Sequence, residues 1–265
     1  MPVSMEEGLH ISLASERLFT LFGVLPVTSS LLTTWLVMAT LLISAWALRR
    51  KLAMVPGRIQ AGIEMFFEYL LNMIEGTLGS RALAVRYFPL IATIFIFILT
   101  ANMFDFLPIY GTVGLVNHGE GAHGVTGIFH AVNADLNTTL ALAIISFFVI
   151  EVSGIMTLGI LRYGSKFVNF SGGAMGFAVG LLELIGNLAR LISFSFRLFG
   201  AIFAGHVLLM VVGTFVPYIL PVPLMAFEMF IGLLQAAVFA ILTMAFIKIA
   251  IEPPHGAEAH AHPAH

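Results

Sequence analysis

The sequence predicts an all-α polytopic membrane protein: about five membrane-embedded helices and one amphipathic surface helix, with the last two membrane helices forming a long oblique hairpin. Composition is the first observation behind this. Of 265 residues, 59% are hydrophobic and 10% charged, where a soluble domain carries about 25% charged residues. Patterning is the second, because the apolar residues gather into stretches long enough to cross a bilayer core of about 30 Å, which takes about 20 helical residues. Together they exclude a soluble globular enzyme. A net charge of -2 with 12 Lys+Arg leaves no basic surface for nucleic acid. With no cysteine, disulfides, iron–sulfur clusters and cysteine nucleophiles are excluded too.

The N-terminal segment, 1–27, carries Glu6, Glu7 and Glu16 against a single Arg17. That is neither a basic signal region nor an Arg-rich transit peptide, so no cleaved targeting segment is expected. A first apolar helix is read over 28–48. The stretch 57–80 alternates Ile63, Phe66, Phe67, Leu70, Leu71 and Ile74 with Glu64, Glu68 and Glu75, the pattern of a helix lying on a membrane surface. Further apolar helices are read at 88–108, 136–161, 174–216 and 222–251. Residues 28–86 thus hold the first membrane helix and the surface helix. Residues 87–265 hold the remaining membrane helices, the hairpin 174–251 and a His-containing tail, 252–265. Irregular spacing among His118, His123 and His130 in the connection 111–134, and among the tail histidines, favours disordered, solvated segments over a metal site. No metal or cofactor is expected.

Arg49, Arg50, Lys51, Arg58, Arg81 and Arg86 lie between the first two spans, and Arg162 and Lys166 follow the third. By the positive-inside rule both segments face the cytoplasm or matrix. The connection 111–134 has neither Lys nor Arg, which suits the outer side. Five crossings then place the N-terminus outside and the C-terminus inside.

The fourth span is too long for a simple crossing. Its residues would make about 65 Å of helix, twice the hydrocarbon thickness, so it must tilt steeply or break. Pro217, Pro221 and Pro223 force a turn before the fifth span.

Charged groups deep in an apolar helix cost about 2.5–3.5 kcal/mol each, so each asks for a reason. The hairpin carries Glu183, Arg190, Arg197, His206, Glu228 and Lys248, with Asn187, Ser193 and Gln235. Arg197 either snorkels to head groups or meets a partner inside the membrane. An antiparallel hairpin about Pro217 would bring Arg197 to Gln235, His206 to Glu228 and Glu183 to Lys248. His206 lies nine residues from Arg197 and so points about 180° away. The pair His206 and Glu228 is either a proton path or a satisfied polar link between helices, worth about 0.6–2 kcal/mol in lipid. Gly200, Gly205 and Gly232 permit close helix approach.

At this point the residues resemble a family. Ser193–His206, SFSFRLFGAIFAGH, with Glu228 and with Gln235 in LLQAAVFAILTMAF, is similar to subunit a of F-type ATP synthases. The likeness takes in FDFLP at 104–108 and ADLNTTLALA at 134–143, and so most of 85–250. It implies a stator subunit, not catalytic alone, that offers two offset half-channels to the carboxylates of a ring of c-subunits. Its implied partners are that ring, the peripheral-stalk b subunits, the rest of the F-type complex and membrane lipid. Its implied setting is the bacterial plasma membrane, with the mitochondrial inner membrane as the alternative. Arg197 matches the family's essential arginine, which faces the ring carboxylate and blocks a direct leak. His206 and Glu228 match the outer half-channel, Gln235 the glutamine beside the arginine, and Glu183 and Ser193 polar positions towards the inner exit. Asn102 and Asp105, with Asp135 and Asn137, would sit near the outer mouth; for Asp135, helix capping is the preferred reading. One position departs from the family: Ala201 stands where an asparagine is usual. The rival reading is a stand-alone proton-coupled secondary transporter, whose kind is often built from inverted repeats; no internal repeat is visible. An intramembrane hydrolase would lack a paired nucleophile.

Overall fold

The computed structural model describes residues 17–21, 25–106, 114–116, 125–127, 130–160, 163–164, 173–216 and 219–252. Six long helices dominate: α1 Ser29–Arg50, α2 Arg58–Leu78, α3 Arg81–Phe104, α4 Leu136–Leu158, α5 Gly173–Phe215 and α6 Pro221–Ile251. All but α2 are long and apolar enough to cross a membrane. Pro217 and the tail beyond residue 252 lie outside the described residues.

Local chemistry sets the ends of these helices. Thr28 caps α1 by accepting from the Leu31 amide at 3.4 Å, and Arg49 and Arg50 occupy the last turn, where cations complement the helix dipole. Helix α2 closes on Gly79 at φ 73°, a left-handed conformation that glycine adopts without a steric penalty. Gly159, at φ 82°, stops α4 three residues before the end expected from hydropathy. Asp135 begins α4: its Oδ1 accepts from the Asn137 amide at 2.9 Å, an N-cap that satisfies one of the donors a helix start leaves open.

Helix α3 starts seven residues earlier than expected. The sequence places Arg81 and Arg86 in the basic segment between spans, yet the helix begins at Arg81 and runs on through Pro89. Proline gives up one amide donor, but Ala84, Tyr87, Ile91 and Ala92 on either side of it are buried, and that burial holds the turn together. Two short antiparallel ladders were not anticipated. Arg17–Leu21 (β1) pairs with Leu25–Thr28 (β2), and Gly114–Val116 (β3) with Val125–Gly127 (β4). The second lies in the connection expected to be disordered. His118 and His123 fall outside the described residues.

The chain divides into two compact units, and α3, α4, α5 and α6 each give residues to both. Unit 1 takes in 1–52, 96–139 and 196–236. Its core joins Val37, Ala101 and Val132, with Leu41, Phe97 and Phe104 packed on them, and a second group of Ala131, Ala134 and Ile202. A buried hydrogen bond from the Ser30 hydroxyl to Asp135 Oδ2 ties the start of α1 to the start of α4. Unit 2 takes in 53–95, 140–195 and 237–265. There the amphipathic reading of α2 has its counterpart in buried Leu70, Ile74 and Leu78, spaced at i, i+4 and i+8 on one face. Phe194 packs edge-on against Phe239 at 4.8 Å and near Phe246 at 5.4 Å.

Candidate functional site

The polar residues singled out from the sequence fall into both units. In unit 1, Arg197 stands on α5 beside Leu198 and Phe199, which are buried. Arg197 itself is exposed. Among the described residues its guanidinium has no hydrogen-bond or ion-pair partner. A permanent cation on an apolar helix, without a partner there, is costly in lipid.

Ala201, Ala204 and Gly205 of α5 and Glu228, Ile231 and Gln235 of α6 line a cavity of about 400 Å³. At roughly 100° per residue, Ala201 and Ala204 share the face of α5 that carries Arg197. Glu228 is 5% exposed. Its Oε1 lies 3.2 Å from His206 Nδ1, while that nitrogen also lies 3.0 Å from the Ile202 carbonyl oxygen, its helical neighbour one turn back. Apart from that contact with His206, neither carboxylate oxygen of Glu228 has a hydrogen-bond partner among the described residues. A buried carboxylate with open lone pairs, next to an imidazole and at a cavity wall, can take up and release a proton.

Gly205 makes this placement possible. A Cβ there would stand 2.6 Å from Glu228 Oε1, so any side chain would push the carboxylate aside. Gly232 does the same for Asn102, whose own Cβ would be 2.9 Å from an added one. Asn102 is fully engaged: its Nδ2 donates to the Gly232 carbonyl at 2.8 Å, and its Oδ1 accepts from Asn133 Nδ2 at 2.7 Å. It therefore clamps α3 to α6. Asp105 follows α3, with Oδ1 buried and without a hydrogen bond.

Of the three pairs expected across the hairpin, His206 with Glu228 is in contact. Arg197 makes no hydrogen bond to Gln235, and Glu183 forms no ion pair with Lys248 among the described residues. Straight helices in register would bring all three together. Instead Arg197 projects from the chain while Gln235 turns to the cavity wall.

In unit 2, Glu183 is half-buried and Ser193 exposed. A more connected cluster lies beside them. Glu151 Oε2 accepts from the Tyr163 hydroxyl at 2.9 Å and Glu151 Oε1 from Asn187 Nδ2 at 3.2 Å. Arg190 donates to Asn187 Oδ1 at 2.8 Å, with its guanidinium 5.0 Å from the centre of the Phe246 ring, a cation–π distance. Burial, then the bond to Glu151, pushes the Tyr163 phenol above its ordinary range, so it stays a donor.

Asn133, Glu151 and Tyr163 were not anticipated. The signal for Glu151 was present, since it is a carboxylate inside an apolar span and the rule used for the hairpin applies to it. Asn133 and Tyr163 lie outside the apolar spans, where a polar residue is unremarked.

The sequence model of a family described as ATP synthase A chain matches residues 31–248. ATP synthase subunit a of Moorella thermoacetica is 32% identical over 225 residues, covering 85% of this chain and 91% of that protein. The subunit of the same name in Mycobacterium tuberculosis is 33% identical over 250 residues, 92% of this chain and 94% of the relative. That of Campylobacter fetus is 34% identical over 218 residues, 82% and 87%.

Proposed function

Because this chain belongs to the ATP synthase A chain family, we propose that it is the stator subunit of an F-type ATP synthase membrane sector, carrying protons to and from a ring of c-subunits. It is an integral, multi-pass membrane protein. The reading rests above all on Arg197, a cation exposed on α5 with no partner among the described residues. A guanidinium stays charged at any accessible pH. Its natural counter-charge is then an acidic group on a neighbouring subunit, and a ring carboxylate passing it is held deprotonated until it moves on.

On this proposal, protons enter through His206 and Glu228, with Gln235 and the cavity beside Ala201 next on the way to the ring. Ala201 is smaller than the asparagine usual at its position, and it lines the cavity wall, where water can stand in for the missing amide. Release follows Glu183 and Ser193 to the inner side. Asn102 acts by clamping α3 to α6, and Asp105 borders the entry. The fixed charge of Arg197 between the two paths blocks a direct leak. The part that does this is residues 87–265, in a bacterial plasma membrane, with the N-terminus outside and peripheral-stalk b subunits holding the chain still. One charge crossing 100 mV gains about 2.3 kcal/mol, so several protons must pass for each ATP.

The test is ATP-driven proton pumping by the whole complex in vesicles, comparing wild type with Arg197→Ala. Pumping is expected to vanish while the subunit still assembles. Coupled rates near wild type in the assembled variant would overturn the assignment.

A further inference from the structure

The second arginine of α5 is treated differently from the first. Arg190 and Arg197 are seven residues apart on one helix, two turns, which brings them within about 20° of the same direction. Arg197 has no partner among the described residues. Arg190 is bound: its guanidinium donates to Asn187 Oδ1, Asn187 in turn donates to Glu151 Oε1, and Glu151 Oε2 is held by the Tyr163 hydroxyl. No direct ion pair joins Arg190 to Glu151 among the described residues; Asn187 stands between them.

Two further features show that the arrangement is built. Ser146, Glu151, Asn187, Arg190, Phe194 and Phe246 line a cavity of about 10 Å³, room for about one water. Ser146 is 1% exposed and its hydroxyl has no hydrogen-bond partner among the described residues, although Glu151, Arg190 and Asn187 line the same cavity. Gly154 is the other feature. A Cβ there would lie 2.2 Å from the Tyr163 ring, so only glycine lets that ring reach Glu151.

We propose that Glu151 is the counter-ion of Arg190, acting through Asn187 and one water bound between Ser146 and the guanidinium, and that its task is to leave Arg197 as the single free cation on this stretch of α5. The proposal rests on the reading of Arg197 given above. An uncompensated Arg190 would offer a passing carboxylate a second resting place two turns away, and the carboxylate would linger there. Glu151 is thus a positioning residue, not one that touches the transported ion. Glu183, the other carboxylate felt by the Tyr163 phenol, makes no hydrogen bond in this chain of contacts.

The experiment uses the whole complex in vesicles with Glu151→Gln, Arg190→Gln and the double variant. Glu151→Gln is expected to slow ATP-driven proton pumping about five- to tenfold at unchanged assembly, a loss of about 1–1.4 kcal/mol. Adding Arg190→Gln is expected to restore pumping to within about twofold of wild type. Wild-type pumping by Glu151→Gln, or a double variant as slow as the single one, overturns the proposal. Should Glu151→Gln fail to assemble, recovery of assembly in the double variant supports the pairing, and continued failure overturns it. The same cycle read on the melting temperature of the complex reports the pairing whether or not the chain carries protons. Failure of this idea is therefore distinct from failure of the Arg197 assignment, which Arg197→Ala decides alone.

Discussion

Unit 1 and unit 2 handle their polar groups in opposite ways. In unit 2, Glu151, Tyr163, Asn187 and Arg190 satisfy one another in a continuous run of hydrogen bonds. In unit 1, among the described residues, Arg197 has no partner, Glu228 has only its contact with His206, and Asp105 Oδ1 has no hydrogen bond. Buried polar groups are nearly always paired, because an unmade bond costs about 1–3 kcal/mol. Open groups of this kind are what the proposed function needs, since a neighbouring subunit or water can complete them. On the proposed function, the contrast marks Arg197, His206 and Glu228 as groups open to a partner, and the Glu151 cluster as one that holds helices together.

The largest effect should come from the free cation. Arg197→Lys keeps the charge but replaces a rigid fork with a mobile, strongly hydrated ammonium; ATP-driven pumping is expected to fall by at least about tenfold, a loss of about 1.4 kcal/mol. A variant pumping at the wild-type rate would show that charge alone suffices.

Next is Gly205→Ala. The added Cβ would press on the end of a flexible side chain, Glu228 Oε1, so the carboxylate should swing away from His206 at little cost in folding. A reduction of about three- to tenfold in proton flux is expected at an unchanged melting temperature. If melting falls and flux per assembled complex does not, Glu228 belongs with the paired residues. His206→Ala should likewise slow flux and alter its pH dependence, while an unaltered profile would remove the imidazole from the path.

Gly232→Ala tests the opposite class. Its Cβ would meet Asn102 Cβ at 2.9 Å, a rigid part of the side chain, so the helices themselves must part. Assembly should suffer by about 1–3 kcal/mol, with flux per assembled complex preserved. The smallest effect on transport belongs to Asp135→Ala, which removes both the α4 cap and the buried bond from Ser30; it should cost about 2–3 kcal/mol in melting and leave flux per assembled complex unchanged.

Most of this architecture was legible before any coordinates, because long apolar runs have few alternatives to helices in a membrane. The ends of α5 and α6 shift by at most a single residue between expectation and structure. Missed boundaries have local causes: Gly159 ends α4 through its left-handed backbone, and α3 extends through Pro89 because burial on both sides outweighs one missing donor. At the candidate site, residue types that are expensive in lipid pointed to Arg197, His206 and Glu228. What hydropathy could not rank was pairing. Asn102 and Asp105 look alike as polar residues near a span end, yet one is locked between Gly232 and Asn133 while the other keeps an unbonded oxygen. That difference depends on partners 31 and 130 residues away, beyond the reach of any local pattern.

The joint between α2 and α3 has a mechanical meaning. Only Gly79 and Ser80 separate the two helices, and Arg81 Nη1 reaches back across them to Asn72 at 2.9 Å and Glu75 at 2.8 Å. Such an elbow has little play. A sideways load on α2 would reach α3 through this two-residue link, as a brace passes thrust into a wall. On the proposed function, in which this subunit stands fast while a ring turns beside it, slack at that corner would be lost motion.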